Sequence, residues 1–171
     1  HKGPQGCCIL SKEFYETDES RGFVRGYNMQ ITRGAGPVGT ALQGLGAGDI
    51  PWGPGHHEAF AKQFDHVASI AILCEDLPEE HNCVTLDPEL VDSDGIPAPK
   101  IHYTMSENSR KMLEHGIARA EEVLNAAGAT QISSGGPIRP AGWHLLGTAR
   151  MGNDPSKSVV NPWGRSHDVK N

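Results

Sequence analysis

The chain has 171 residues, of which 37% are hydrophobic, and a formal net charge of −6. This size and apolar content suffice to bury one core, so we expect about one domain. The negative charge and the lack of a basic run argue against a nucleic-acid partner. No apolar stretch reaches the ~20 residues that a transmembrane helix needs.

The cysteines and the two ends of the sequence bear on the cellular compartment of the protein and on whether the chain is a fragment. Cys7, Cys8, Cys74 and Cys83 include no C-x-x-C pair and are too sparse for a disulfide scaffold, which favours a reducing compartment. The first residues show no initiator methionine or signal-peptide pattern, and residues 165–171 stop in mid-phrase. We therefore expect an internal fragment of a longer protein, whose localisation, cytoplasmic or periplasmic, stays open.

The first elements in chain order are predicted as two strands, a loop and a helix. Residues 7–10 predict a short buried strand, and residues 23–31 predict a second strand with alternating apolar positions. Residues 34–55 are rich in glycine and are interpreted as a long loop. Residues 56–66 predict a short helix, because two phenylalanines lie one turn apart on one face.

The middle of the chain predicts further strands. Residues 67–74 form a continuous apolar run, which is typical of a buried strand. Residues 83–86 and 100–104 predict two more strands, separated by residues with turn chemistry. Residues 131–132 are interpreted as another short strand.

The clearest element is a helix over residues 107–127. Ser106 is expected to cap its N-terminus, and Gly128 is expected to end it. Its apolar positions recur at helical spacing: Met112, Leu113, Ile117, Ala120, Val123, Leu124 and Ala127. Together the elements predict an α+β fold with a mainly antiparallel sheet and helices on one face.

A glycine pattern precedes the first helix. Gly34-Ala35-Gly36-Pro37-Val38-Gly39 matches the dinucleotide-binding pattern G-x-G-x-x-G letter for letter. That pattern binds phosphate only between a strand and a helix. More glycines and prolines follow at once and predict no helix, so we interpret the stretch as a loop rather than a cofactor site.

Metal and hydrolase chemistry have little support in the residues. Six candidate ligands lie fairly close in sequence: His56, His57, His66, Cys74, His81 and Cys83. No pair of them has a recognisable zinc spacing, so no metal site is predicted. No G-x-S-x-G elbow is present, which argues against a serine hydrolase.

The most distinctive stretch lies near the C-terminus. It reads Trp143-His144-Leu145-Leu146-Gly147-Thr148-Ala149-Arg150-Met151-Gly152, followed by Asp154-Pro155, Ser158-Val159-Val160 and Arg165-Ser166-His167-Asp168-Val169-Lys170-Asn171. This order resembles the C-terminal signature of the glucose–methanol–choline (GMC) oxidoreductases, which are FAD-dependent enzymes that oxidise alcohols. Residues 82–88 and 95–103 are similar to the segment that leads into the long helix of that family. The resemblance is clear over residues 66–171 and loose before them.

The resemblance implies a division of the chain. Residues 1–137 would belong to the substrate-binding (cap) domain, incomplete at its N-terminus. Residues 138–171 would be the start of the C-terminal segment that returns to the FAD domain and carries catalytic residues. The nucleotide-binding fingerprint and the second catalytic residue of the family lie outside this stretch, and Asn161-Pro162 falls too early to be the latter.

The resemblance also implies roles for single residues. His144 would face the flavin and the substrate hydroxyl and act as general acid/base, because histidine exchanges a proton near neutral pH. Gly147, Thr148 and Arg150 would contact the cofactor, and Trp143 would contact the substrate. From the residues alone, a histidine beside a tryptophan more often only packs or hydrogen-bonds, and Arg150 could equally form a structural ion pair.

The function implied is oxidation of a small-molecule alcohol, sugar or polyol by hydride transfer to FAD. Most of the FAD site would lie in parts of the protein absent from this chain, so the isolated fragment is expected to be inactive. The alternative is a non-catalytic interaction domain, or a relic, derived from the same family. The sequence leaves the exact substrate, the electron acceptor and the oligomeric state open.

Overall fold

The computed structural model describes residues 9–47, 50–138, 144, 147 and 149–170. The strands are β1 (Ile9–Ser11), β2 (Tyr27–Arg33), β3 (Ala68–Cys74), β4 (Cys83–Val91) and β5 (Pro97–His102). The α-helices are α1 (Pro37–Ala47), α2 (His56–Gln63) and α3 (Glu107–Ala126), with a 3-10 turn at Glu19–Arg21. The chain divides into two compact units, residues 1–75 with 111–135 and residues 76–110 with 136–171.

The first unit contains an antiparallel sheet of three strands in the order β1-β2-β3. The central strand pairs with β3 along its whole length, from Tyr27 opposite Cys74 to Arg33 opposite Ala68. With the second sheet also antiparallel, the predicted α+β fold class is confirmed. None of the helices that the structure describes is long and apolar enough to cross a bilayer.

The core of the first unit lies between one face of this sheet and α3. Its buried members are Phe23, Tyr27, Met29, Met112 and Ala120, with Phe14, Ile70, Ile72 and Cys74 packed around them. The two β2 residues lie at alternate positions and therefore point to the same face. The two α3 residues are eight positions apart, a spacing that places both on one side of a helix.

Gly116 lets α3 approach the sheet closely. A Cβ atom at this position would lie 2.7 Å from Cγ2 of Ile72 and 3.3 Å from Cε2 of Tyr27. Both distances are shorter than ordinary van der Waals contacts. The helix could not pack at this distance with any side chain at this position.

The ends of α3 confirm the predicted caps. The backbone N–H of Ser109 donates to Oγ of Ser106 at 3.1 Å, which satisfies one amide of the first turn. At the other end, Gly128 has a φ of +84°. That left-handed conformation suits glycine and ends the helix as predicted.

Two expectations about regular structure were wrong. Residues 34–55 are not one loop, because α1 occupies Pro37–Ala47. Proline is favoured at the first position of a helix, where its missing N–H costs nothing, and the Thr40 hydroxyl donates to the carbonyl of Ala35 at 3.1 Å. Residues 131–132 form no strand.

Other expectations held for the type of element but not for its bounds or burial. The second strand begins at Tyr27 rather than at residue 23. Ile9 and Leu10 of β1 are exposed, with 68% of Ile9 accessible, so the predicted burial of these two residues is wrong. The strand β3 is only half-buried, because one face of it packs on the core while the other is exposed. The short helix α2 is confirmed at His56–Gln63.

The second unit carries the hairpin of β4 and β5, which confirms and lengthens two predicted strands. Val84 lies opposite Ile101, and Leu86 lies opposite Pro99. These residues share one face because side chains alternate along a strand, and 76% of Ile101 is exposed.

The other face of the hairpin is polar. Oγ1 of Thr85 lies 2.8 Å from Nε2 of His102, and Nζ of Lys100 lies 3.6 Å from a carboxylate oxygen of Asp87. A register shift between Leu86 and Val91 marks a bulge beyond these pairs. The hairpin is therefore amphipathic.

Candidate functional site

His144 is the residue with the strongest predicted role, and its side chain is exposed. Within the described part of the chain, no hydrogen bond or ion pair engages its imidazole ring. An imidazole in this situation can offer either ring nitrogen to a bound molecule. Trp143 and Thr148, for which substrate and cofactor contacts were predicted, lie outside the described residues.

Gly147 follows in a left-handed backbone conformation, with a φ of +69°. A Cβ atom there would meet nothing within 4 Å. Glycine is therefore required by the backbone angle rather than by close packing. The chain turns at this point, three residues after His144, next to open space.

The backbone of Arg150 and Gly152 is tied to a second stretch of chain. The carbonyl of Arg150 accepts the N–H of Val159 at 2.9 Å, and the N–H of Gly152 donates to the carbonyl of Val160 at 2.9 Å. Met151 and Val160 form a parallel bridge, and Val160 forms an antiparallel bridge with Ser166. Three short lengths of backbone thus lie side by side, with the stretch that follows His144 at one edge.

The side chain of Arg150 also stabilises this stretch, residues 150–167, which we call the folded loop. Its Nε donates to the carbonyl of Lys157 at 2.7 Å, while the residue as a whole remains exposed. No ion pair to Arg150 occurs among the residues that the structure describes. The predicted cofactor contact of Arg150 stays a prediction.

A turn at residues 154–158 connects the two bonded stretches, which run parallel to each other. The carboxylate of Asp154 accepts the side-chain O–H of Ser156 at 2.7 Å and its backbone N–H at 2.9 Å. These two bonds hold the pKa of Asp154 below its usual range, with attraction to His167 as a smaller cause. The carboxylate therefore stays ionised near neutral pH and keeps the turn closed.

Three residues meet where the loop closes, and sequence reasoning assigned no role to any of them. Nε2 of His167 lies 3.1 Å from the carbonyl oxygen of Gly152 and 3.0 Å from Oγ of Ser158. Oγ of Ser158 lies 3.1 Å from the same carbonyl and 2.6 Å from the carbonyl oxygen of Asp154. We call Gly152, Ser158 and His167 the clasp.

The glycine pattern at residues 34–39 has a structural explanation. It lies between β2 and α1, so the predicted strand is followed by a helix that we did not expect. However, both neighbours of β2 are antiparallel to it, whereas the pattern works between parallel strands. The N–H of Gly34 donates to the carbonyl of Val67 at 2.8 Å, and a Cβ at Gly34 would lie 2.8 Å from the same oxygen.

The candidate metal ligands do not converge. No group of three or more His, Cys, Asp or Glu side chains that could hold a metal ion occurs among the described residues. His56 and His57 contact each other at an angle, with ring centroids 5.7 Å apart. His56 also lies 3.1 Å from the carbonyl of Pro51 through Nδ1, which is a local contact at the start of α2.

Comparison with known proteins places the second half of the chain in a known family. A family model described as GMC oxidoreductase matches residues 78–171. That range includes His144, the folded loop and the clasp. The match agrees with the family that the C-terminal phrase resembles.

Three curated relatives are also similar to this chain in sequence. The chain is 42% identical over its whole length to 2-methyl-1,2-propanediol dehydrogenase of Mycolicibacterium austroafricanum, of which it covers 31%. It is 39% identical to 6'''-hydroxyparomomycin C oxidase of Streptomyces lividus over 60% of the chain and 19% of the relative. It is 32% identical to the fructose dehydrogenase large subunit of Gluconobacter japonicus over 67% of the chain and 21% of the relative. The chain thus spans a third or less of the length of each.

Proposed function

Since the chain belongs to the GMC oxidoreductase family, we propose that it forms part of an FAD-dependent enzyme that oxidises a CH–OH group. The relatives are named as 2-methyl-1,2-propanediol dehydrogenase, 6'''-hydroxyparomomycin C oxidase and the fructose dehydrogenase large subunit. All three names describe oxidation of alcohol or sugar substrates. The substrate of this enzyme is therefore proposed to be a small-molecule alcohol, diol or sugar.

The observation that carries the proposal is the exposed imidazole of His144, which has no hydrogen bond or ion pair to the other described residues and lies three positions before the turn at Gly147. Oxidation of an alcohol to a carbonyl compound removes a hydride from carbon and a proton from oxygen. A positioned imidazole can accept that proton near neutral pH. We assign His144 as the general base in alcohol oxidation.

The described residues fit the edge of a flavin site but not the binding of a whole dinucleotide. An exposed imidazole and a glycine turn with open space around it suit contact with a planar ring. The strand-to-helix unit that carries the glycine pattern has antiparallel neighbours, which do not form a dinucleotide cradle. When bound, FAD would supply the hydride acceptor.

The share of the relatives that the chain covers bears on activity. Because it spans 31% of the relative that it matches along its whole length, we propose that FAD is held mostly by residues outside these 171. The isolated chain is then expected to purify without a flavin spectrum and to oxidise no alcohol. Purification of the isolated chain with bound flavin would contradict this part of the proposal.

The assignment of His144 is tested in the full-length protein that carries this chain. His144→Ala should lower kcat by about 10²- to 10⁴-fold, the usual contribution of general acid–base catalysis, while the flavin stays bound. His81→Ala is the matched control, because His81 is also exposed and lies far from residue 144 in the chain. Steady-state oxidation of 2-methyl-1,2-propanediol, fructose and simple primary alcohols provides the assay.

The rival function is a binding or interaction domain without catalysis. Wild-type protein that binds flavin but leaves it oxidised with every alcohol and sugar in the panel would favour that rival. A His144→Ala variant with undiminished turnover would instead leave the enzyme assignment standing and remove His144 from its role.

A further inference from the structure

The clasp joins the stretch that follows His144 to the far end of the folded loop. Gly152 and His167 are 15 residues apart in sequence, and Ser158 lies between them at the end of the turn. All three groups are half-buried. A Cβ atom at Gly152 would lie 3.1 Å from Cβ of Ser158, so the glycine lets the two stretches approach closely.

The donors and acceptors of the clasp fix where its protons lie. The carbonyl oxygens of Gly152 and Asp154 only accept, and Ser158 has a single proton to give. The distance from Oγ of Ser158 to the Asp154 carbonyl, 2.6 Å, is the shortest of its contacts, so the proton is assigned there. A proton on Nε2 of His167 then donates to the Gly152 carbonyl at 3.1 Å and is shared with Oγ of Ser158 at 3.0 Å.

The short contact between Ser158 and the Asp154 carbonyl argues against a second interpretation of the same residues. A serine beside a histidine also occurs in nucleophilic catalysis, where the ring nitrogen must accept the serine proton. Here the serine proton is directed to a carbonyl, and Nε2 faces two oxygen atoms. His167 therefore acts as a hydrogen-bond donor through Nε2.

We propose that His167 is a positioning residue for alcohol oxidation: by donating from Nε2 to the Gly152 carbonyl it holds the stretch that begins at His144. The inference rests on the proposed function of His144. Only seven residues separate His144 from Gly152, and Arg150 and Gly152 are further tied to Val159 and Val160 by backbone bonds. Release of this end would shift His144, and small displacements of a catalytic group are costly, about 10²-fold for 1 Å.

Three variants of the full-length protein separate a donor at this site from simple space-filling. His167→Gln keeps an N–H donor near the position of Nε2, because the glutamine amide reaches about as far as that ring atom. His167→Asn carries the same amide one bond shorter, and His167→Ala removes the donor altogether. The exposed His81→Ala serves again as the control for loss of a histidine.

Two measurements are made on each variant. The first is the hydrogen-exchange rate of the backbone amides in residues 150–160, followed by mass spectrometry, which reports the clasp without any catalysis. The second is alcohol oxidation, resolved into kcat and KM, with flavin content and Tm recorded for each preparation.

The expected result is faster exchange in His167→Ala and His167→Asn, with kcat lower by about 10- to 100-fold at little change in KM. His167→Gln should restore both values to near those of the wild type. Unchanged exchange in His167→Ala would overturn the clasp. Faster exchange with undiminished kcat, or a folded His167→Gln as impaired as His167→Ala, would overturn the positioning role.

Failure of the proposed function has a different signature. A wild-type protein that oxidises no alcohol would remove the proposed reaction and the positioning role with it. The exchange rates would still decide whether His167 holds Gly152. The two failures are therefore distinguishable in one set of preparations.

Discussion

The phenol oxygen of Tyr27 lies 2.8 Å from Nδ1 of His115, in the layer between β2 and α3. Only 1% of Tyr27 is exposed. Burial raises the pKa of Tyr27 to about 12 and lowers the pKa of His115. Both groups are therefore neutral at pH 7. Between β2 and α3, this polar pair lies among the apolar side chains of the core.

Removal of the Tyr27 hydroxyl should destabilise the protein. Tyr27→Phe leaves Nδ1 of His115 without its partner, which costs about 1–3 kcal/mol in a buried setting. Urea unfolding followed by far-UV circular dichroism measures the change. Tyr15→Phe is the matched control, because Tyr15 is 44% exposed and should lose almost nothing. Equal losses in the two variants would contradict the buried role of the Tyr27 hydroxyl.

Acid should weaken the fold through His115. Burial is the largest cause of its lowered pKa, followed by repulsion from Arg119 and Arg21, with Glu122 acting in the opposite direction. The unfolded chain therefore binds more protons, and stability falls as pH decreases from about 6.5, the ordinary value, through the lower pKa of folded His115. The free energy of unfolding should decline less steeply over this window in His115→Gln than in the wild type. Parallel declines would count against the prediction.

Alkali should weaken the fold through Tyr27. Its pKa is raised from 10.0 to about 12 in the folded protein, first by burial and then by repulsion from Cys74. A raised pKa favours the folded state below pH 10, and this contribution is lost as pH rises from 10 to about 12. Tyr27→Phe should flatten that part of the stability profile. The difference between the two proteins isolates Tyr27 from the other tyrosines.

Substitution at Gly116 should be unfavourable despite better helix propensity. Alanine normally favours a helix over glycine by about 1 kcal/mol, but its Cβ would lie 2.7 Å from Cγ2 of Ile72. We expect Gly116→Ala to lose about 1–3 kcal/mol overall, as overpacked cores do. The double variant with Ile72→Ala relieves the clash and should show less than the sum of the two losses. Additive losses would place the strain elsewhere.

Another ionisable cluster lies in the second unit, where one carboxylate accepts hydrogen bonds from two hydroxyls. Asp76 accepts from Tyr103 at 2.7 Å and from Ser109 at 2.5 Å. Burial and this carboxylate raise the pKa of Tyr103 to about 12. Asp76→Asn should lower it, although not to 10.0, because burial, the largest single cause, remains. Titration of tyrosinate absorbance measures the shift, with Asp94→Asn, a change on an exposed turn, as the control.

The regular elements were predictable wherever a periodic pattern agreed with tertiary packing. Met112 and Ala120 of the predicted stripe on α3 belong to the core, whereas Val123 is 41% exposed. The caps at Ser106 and Gly128 use local chemistry that sequence alone reveals. The helix α1 was missed because its glycines each disfavour a helix by about 1 kcal/mol. Pro37 at its first position was the signal that pointed the other way.

The candidate site was predictable only in part, because some of its residues approach one another only in the folded chain. His144 was found because it lies in a continuous phrase that resembles a known family. Gly152, Ser158 and His167 lie in the same stretch, but they meet only after a turn and two backbone bridges bring them together. Spacing along the chain gives no sign of that approach.

The apolar and polar faces of the β4–β5 hairpin bear on the register in which its two strands pair. A slip of one residue would exchange the apolar face for the polar one, and no buried side chain of the hairpin resists it. Besides the backbone ladder, the strands are joined by the side-chain pairs Thr85–His102 and Asp87–Lys100, of which the second is ionic. Ionic strength screens such a pair and leaves apolar contacts intact. The contribution of the Asp87–Lys100 pair to the native pairing of the hairpin should therefore decrease as the salt concentration rises.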